Sequence, residues 1–346
     1  MGPARGHCRQ QGDRVWLAYR LAAAGWALRR RAERAGRADR DSHAARRRHA
    51  KRPLECLAFC EEEGSRFPAT DFWGSRRHRA DRAQPESERL RGYEGETIGD
   101  AMRAVGLDPA AILAPRATTS TPSSRLHIEQ GPVLEQAGLP VGIVTGITGL
   151  RHYVVEVRGE ANHAGAFPID LRRDPMAGAA EMISGVIGRA AIGRPAVTAV
   201  GRIQAEPNYP AIIPGKVTFT IDARHPEPGP LAELYAGHEA LMRAVAARRG
   251  LQVSWHTTLD LPPSPSDPAT VALLHDCARD LGIPAMRMHS GAGHDSQVMA
   301  GRAKIAMIFV QSKDGRSHTP EEFTSVEHAV QGISVLAAGL YRLAYE

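Results

Sequence analysis

The chain has 346 residues, 42% of them hydrophobic, so at about 150 residues per domain it can build two packed domains and is not disordered as a whole. Its four cysteines (Cys8, Cys56, Cys60, Cys277) are too few and scattered for a disulfide scaffold or a paired zinc motif, and no run of about 18 apolar residues is present to span a membrane. The formal charge of +6 is uneven: residues 1–52 carry +11 and the remainder −5, so the body has no basic footprint for nucleic acid.

Residues 1–52 stand apart as an aberrant basic segment, with Arg29-Arg30-Arg31 and Arg46-Arg47-Arg48. Three readings stay open: a solvated basic tail, an Arg-rich targeting or functional element, and the Arg/Ala text that GC-rich DNA yields out of frame. From Pro53 the text changes. Pro53 to Cys60 reads as a buried strand with Cys56 and Cys60 on one side as core thiols, ending in Glu61-Glu62-Glu63-Gly64. Residues 75–96 are charged and irregular, Thr97 caps a helix that stops at Gly106, and 115–125 reads as loop.

The middle is the most periodic part. Tyr153, Val155 and Val157 alternate with polar residues in a strand over 151–158. Asp174-Pro175 opens a helix to about 189. Strands follow over 196–204 and 217–224, then a helix over 231–249 stopped by Gly250, then a strand over 251–256. This β-α-β-β-α-β order predicts a ferredoxin-like α+β domain over 149–262. After Pro262-Pro263 come a helix over 268–281, the loop 290–295, a buried strand over 304–310 and a last helix from Ser325. The fold class is therefore α/β: a catalytic domain in two parts, 53–148 and 263–346, interrupted by the inserted one.

Several side chains could carry chemistry. Glu62 and Glu63 follow a strand, where adjacent carboxylates can divide metal binding from general-base work; otherwise they form a charged turn. His127 ends a short apolar step, and His318 lies in the loop beyond 304–310; each is a metal-ligand candidate or a hydrogen-bonded turn histidine. His163 could donate to an oxyanion or bond its own turn. Arg224 could clamp a carboxylate or merely pair with Asp222. Gly291 and Gly293 let backbone N–H groups approach an anion, without the Lys-Ser/Thr of a phosphate loop.

The segments Glu-Glu-Gly-Ser-Arg-Phe (62–67), His-Ile-Glu-Gln-Gly-Pro-Val-Leu-Glu (127–135), Asn-His-Ala-Gly-Ala-Phe-Pro-Ile-Asp-Leu-Arg-Arg-Asp (162–174), Ser-Gly-Ala-Gly-His-Asp (290–295) and Ser-His-Thr-Pro-Glu-Glu-Phe-Thr (317–324) occur in that order. Together they resemble the hydantoinase/carbamoylase amidases of the M20 metallopeptidase superfamily. The resemblance implies an α/β catalytic domain interrupted by a smaller dimerisation (lid) domain in a cytoplasmic homodimer. It implies Glu62 as general base, Glu63, His127 and His318 as ligands, and His163 as stabiliser of the tetrahedral intermediate in the partner's site. Gln130, Arg224, Gly291 and Gly293 would bind substrate. Two divalent ions (Zn, Mn, Co or Ni) would assist hydrolysis of a linear C–N bond in allantoate or, next, an N-carbamoyl-L-amino acid, releasing ammonia and carbon dioxide. The resemblance implies no nucleic-acid or membrane partner. Two family features lack counterparts: the His-x-Asp with its bridging Asp is not found around His7-Cys8-Arg9, and an Asn that helps hold the substrate carboxylate is replaced by Ala211. These departures support an alternative expectation, an impaired relative that is a dimeric binding protein only.

Overall fold

The computed structural model describes residues 50–67, 72–79, 85–111, 122–193 and 195–346. The basic segment 1–49 lies outside them. In chain order the helices are α1 (Trp73–Arg79), α2 (Ile98–Ala104), α3 (Val133–Ala137), α4 (Pro175–Ile192), α5 (Pro228–Arg249), α6 (Pro268–Asp280), α7 (Asp295–Met299) and α8 (Val326–Tyr345). The strands are β1 (Pro122–Ile128), β2 (Val141–Ile147), β3 (Gly149–Arg158), β4 (Asn162–His163), β5 (Val197–Ala199), β6 (Ile203–Glu206), β7 (Ile212–Ile213), β8 (Lys216–His225), β9 (Gln252–Leu261), β10 (Ser264–Pro265), β11 (Ala285–Ser290) and β12 (Lys304–Val310).

One sheet runs β1-β12-β2, with β10 and β11 both pairing β2. β1 is parallel to β12, and β11 is parallel to β2. On one face α6 and α8 pack Val271, Leu274 and Val335 against Val141, Ile143, Ala306 and Ile308. Gly332 of α8 is required there: a Cβ would stand 2.4 Å from Val310 Cγ1. On the other face Leu134, Val144, Met299, Met307 and Phe309 form a second cluster. The near-continuous apolar text of β12 and β2 fits strands buried on both faces.

The second sheet is antiparallel, β5-β8-β3-β9, with β6 also on β8. β8 alternates strictly, burying Val217, Phe219, Ile221 and Ala223 beneath α4 and α5. Asp174 caps α4 through Met176 N at 2.8 Å, and Gly250 ends α5 with φ 63°. A small β4-β7 ribbon places His163 opposite Ile212.

Four local expectations are corrected. Pro53 to Cys60 is not a strand: residues 51–58 are exposed and outside the sheet, since an apolar run becomes a strand only where a neighbour takes its N–H and C=O groups. Cys56 and Cys60 are accordingly exposed and not core thiols. The loop expected over 115–125 gives way to β1 at Pro122, because β12 offers a parallel ladder from Lys304 onward. The strand expected over 196–204 is broken. Ala199 pairs with Asp222 and Ile203 with Phe219, four steps against three, so an extra residue bulges out.

Candidate active site

The acidic turn is held by a second backbone segment. The N–H groups of Phe72, Trp73 and Gly74 donate to the carbonyls of Glu62, Glu61 and Cys60 at 2.9, 3.2 and 3.1 Å. Gly74 permits this approach, since a Cβ would lie 2.7 Å from Cys60 N. Glu61 turns inward with φ 52°, and its Oε2 accepts the N–H groups of Arg66 and Phe67. Glu61 therefore shapes the turn, leaving Glu62 half-buried and Glu63 exposed.

β1 delivers the next residues. Its period of two puts Arg125 and His127 on one face, at the carboxyl end of a parallel pair of strands. Arg125 Nη1 lies 3.5 Å from Glu62 Oε1 and 3.2 Å from Asp295 Oδ2. The His294 ring lies 4.8 Å from that of His127, tilted by 57°, and its Nδ1 is 4.0 Å from Glu62 Oε1. Glu62, Arg125, His127, His294 and Asp295 thus converge from three separate segments.

Burial sets their charges. It pushes the Glu62 carboxyl up to about 7, against the pull of Arg125. It raises Asp295 for the same reason. Burial, then Arg125, pushes the His127 imidazole down to about 4, so the ring is neutral at pH 7. His127 Nδ1 lies 2.9 Å from the Ile128 carbonyl, so it carries the proton and leaves Nε2 as a lone pair. His294, 1% exposed, is held well below its ordinary value by burial and then by His127.

A second pair sits at the rim. His318 Nε2 is 3.4 Å from Glu63 Oε1, and both side chains are at least half exposed. Gln130 joins the His127 and His318 segments: its Nε2 donates to Ser317 Oγ at 3.0 Å, and Ser317 Oγ and His318 N both donate to Glu322 Oε2. Gln130 and His318 each hold φ 59°, a conformation that non-glycine residues adopt only under constraint.

Arg224 reaches across from the second sheet. Its Nε and Nη2 donate to the two oxygens of Asp222 at 2.9 and 2.7 Å, and Nη1 donates to the Gly291 carbonyl at 2.8 Å. Its guanidinium is fully oriented by Asp222 and lies over the glycine loop. Gly291 is open, whereas Gly293 is packed: a Cβ there would meet Leu150 and Phe72 at 3.2 Å. His163 is exposed, and its Nδ1 accepts the N–H groups of Gly165 and Ala166, leaving Nε2 to donate outward. Its ring bonds its own turn.

Among the described residues, no group of three or more His, Cys, Asp or Glu side chains is placed to hold a metal ion. A catalytic zinc takes three protein ligands. Of the three expected ligands, Glu63 and His318 stand as a pair, and His127 is a prepared imidazole that does not complete a group of three with them. The described residues do not fit a two-ion centre.

Sequence reasoning assigned no role to Arg125, Asp295 or His294. The first could have been found two places before His127 on the same strand face. The other two stand inside the 290–295 segment, but their burial is a tertiary fact.

A split α/β sheet carrying an acidic turn, with an antiparallel α+β unit inserted between its strands, defines the class. The chain belongs to peptidase family M20/M25/M40, whose family model matches residues 42–342. Its enzyme class is that of the amidohydrolases. The Escherichia coli (strain K12) allantoate amidohydrolase is 38% identical over 298 residues, covering 85% of this chain and 72% of that protein. The N-carbamoyl-L-amino acid amidohydrolase of Geobacillus stearothermophilus is 36% identical over 294 residues, 84% of this chain and 71% of that one. Among solved structures, a hydantoinase/carbamoylase family amidase from Burkholderia multivorans superposes with TM-score 0.72 at 31% identity, covering 82% of this chain and 69% of that chain.

Proposed function

We propose that the chain hydrolyses the linear C–N bond of a ureide or N-carbamoyl compound, allantoate first and N-carbamoyl-L-amino acids next, releasing ammonia and carbon dioxide. The observation that carries this reading is the placement of Glu62 between Arg125 and His294, in a chain whose relatives of 35% and 38% identity are allantoate amidohydrolases. As general base, Glu62 takes a proton from the attacking water and returns it to the leaving nitrogen. Arg224, already oriented by Asp222, holds a substrate carboxylate by exchanging the Gly291 carbonyl for it. Gln130 and the open Gly291 are assigned to the substrate with it.

In this reading, residues 149–262 form the dimerisation lid of a cytoplasmic homodimer, and 53–148 with 263–346 form the catalytic domain. No helix among the described residues is long and apolar enough to cross a membrane. Ile203, Tyr209 and Ile212 are exposed on the lid, and His163 stands beside Ile212. From there His163 serves the partner's site, its free Nε2–H facing a developing oxyanion. Were Zn, Mn, Co or Ni to bind, Glu63 with His318 would meet the ion as a pair and His127 would offer its Nε2 lone pair.

That split ligand set favours a second reading, a dimeric binding protein that has lost turnover. Ammonia release from allantoate and N-carbamoyl-L-amino acids, together with bound metal per chain after Mn²⁺ or Zn²⁺ loading, separates the two. Ammonia release with close to two ions establishes the hydrolase. No release, close to no metal, and a substrate-induced rise in Tm establish the binding protein.

A further inference from the structure

Two short linkers join the sheets. Thr148 connects β2 to β3, and Pro262-Pro263 connects β9 to β10. They run side by side: Ile147 pairs with Ser264 below them and Leu150 with Leu261 above. Between these pairs the ladder is interrupted, because Pro262 and Pro263 have no N–H to give. The carbonyls of Thr148 and Pro262 would be left without a donor from either linker.

One side chain supplies both. Gln297 of α7, 5% exposed, donates from Nε2 to Thr148 O at 3.0 Å and to Pro262 O at 2.9 Å. The amide orientation is forced, since a flipped Oε1 would face two carbonyl oxygens. The same region is tied to the glycine loop: Thr148 N donates to Ser290 O at 3.0 Å, and Gln297 N to His294 O at 2.8 Å. Beyond the linkers, Arg224 of the inserted unit meets Gly291 at the end of that loop.

We propose that Gln297 is the positioning residue of this hinge. By bridging the two linkers it fixes the angle of the inserted unit on the catalytic sheet, and so the place where the Arg224 guanidinium arrives over Gly291. Gln297 lies behind the glycine loop, its Oε1 3.4 Å from where a Cβ on Gly293 would stand, and it acts on the substrate space through that loop and Arg224.

The test uses the full chain with Gln297→Met, which keeps volume and loses both donors, and Gln297→Glu, which keeps shape and has at most one O–H to share between the two carbonyls. Amide hydrogen exchange is expected to speed up about tenfold over 145–152 and 258–266, with 304–310 unchanged. Where the chain turns over a carboxylate-bearing ureide, KM is expected to rise about tenfold with kcat little changed. The kinetic arm rests on the amidohydrolase reading and the exchange arm does not, so failure of each is separately visible. Wild-type exchange at both linkers in a variant that keeps 304–310 protected overturns the proposal. Loss of that protection in both variants assigns Gln297 to general packing and overturns it as well.

Discussion

Glu62 is defined by what surrounds it. Its carboxyl is pushed up to about 7 by burial while Arg125, 3.5 Å away, pulls it back. A general base works deprotonated, so kcat/KM is expected to rise as pH passes through about 7, and Glu62→Gln to lower kcat about 10²- to 10⁴-fold with substrate still bound. Arg125→Leu removes the guanidinium that reaches both Glu62 and Asp295. Both carboxyls then titrate higher, and the acid limb of the pH–rate profile should move above 7. A limb that moved downward would contradict the role given to Arg125.

At the scale of elements, local chemistry and packing separate cleanly. Thr97 accepts Asp100 N at 3.0 Å, while the Asp100 carboxylate accepts Thr97 N at 2.9 Å, a reciprocal cap for α2. Thr97→Ala should cost about 1 kcal/mol in denaturant unfolding, with an unchanged m-value. In α5, His238 is fully buried and its imidazole is pushed down to about 4 by burial. The unfolded chain binds its proton near 6.5, so stability is full above that pH and falls as pH drops toward 4. His238→Leu should flatten Tm against pH across that window, and an unflattened profile would place the acid sensitivity elsewhere. β2 escaped the sequence reading because Gly142 and Gly146 interrupt its apolar run; they are tolerated because Met288 and Pro265 lie close against it.

At the scale of the molecule, the site is assembled from both units. Arg224 comes from the inserted unit and Glu62, His127 and His294 from a turn, a strand and a loop of the other, and Thr148 and Pro262-Pro263 are the linkers that set one on the other. If His163 serves the partner's site, two inactive variants should rescue one another. Mixing Glu62→Gln with His163→Ala chains after dissociation is expected to restore about a quarter of wild-type activity, since half the dimers are mixed and each holds one intact site. No recovery, with mixed dimers confirmed by mass, would confine His163 to its own chain.

The sequence by itself determined the motif order, the family, the α/β class and most helix ends, because caps such as Asp174, Ser325 and Gly250 act within a few residues of themselves. Glu62, His127 and His318 were legible as candidates because each stands in a contiguous, chemically distinctive segment. Only the tertiary structure decided that Arg125, His294 and Asp295 join Glu62, that Pro53 to Cys60 is no strand, and that Glu63 with His318 stays apart from His127. Those outcomes depend on burial and on which segments meet through space. Neither is encoded in the spacing of residues along a chain; both arise when distant elements pack.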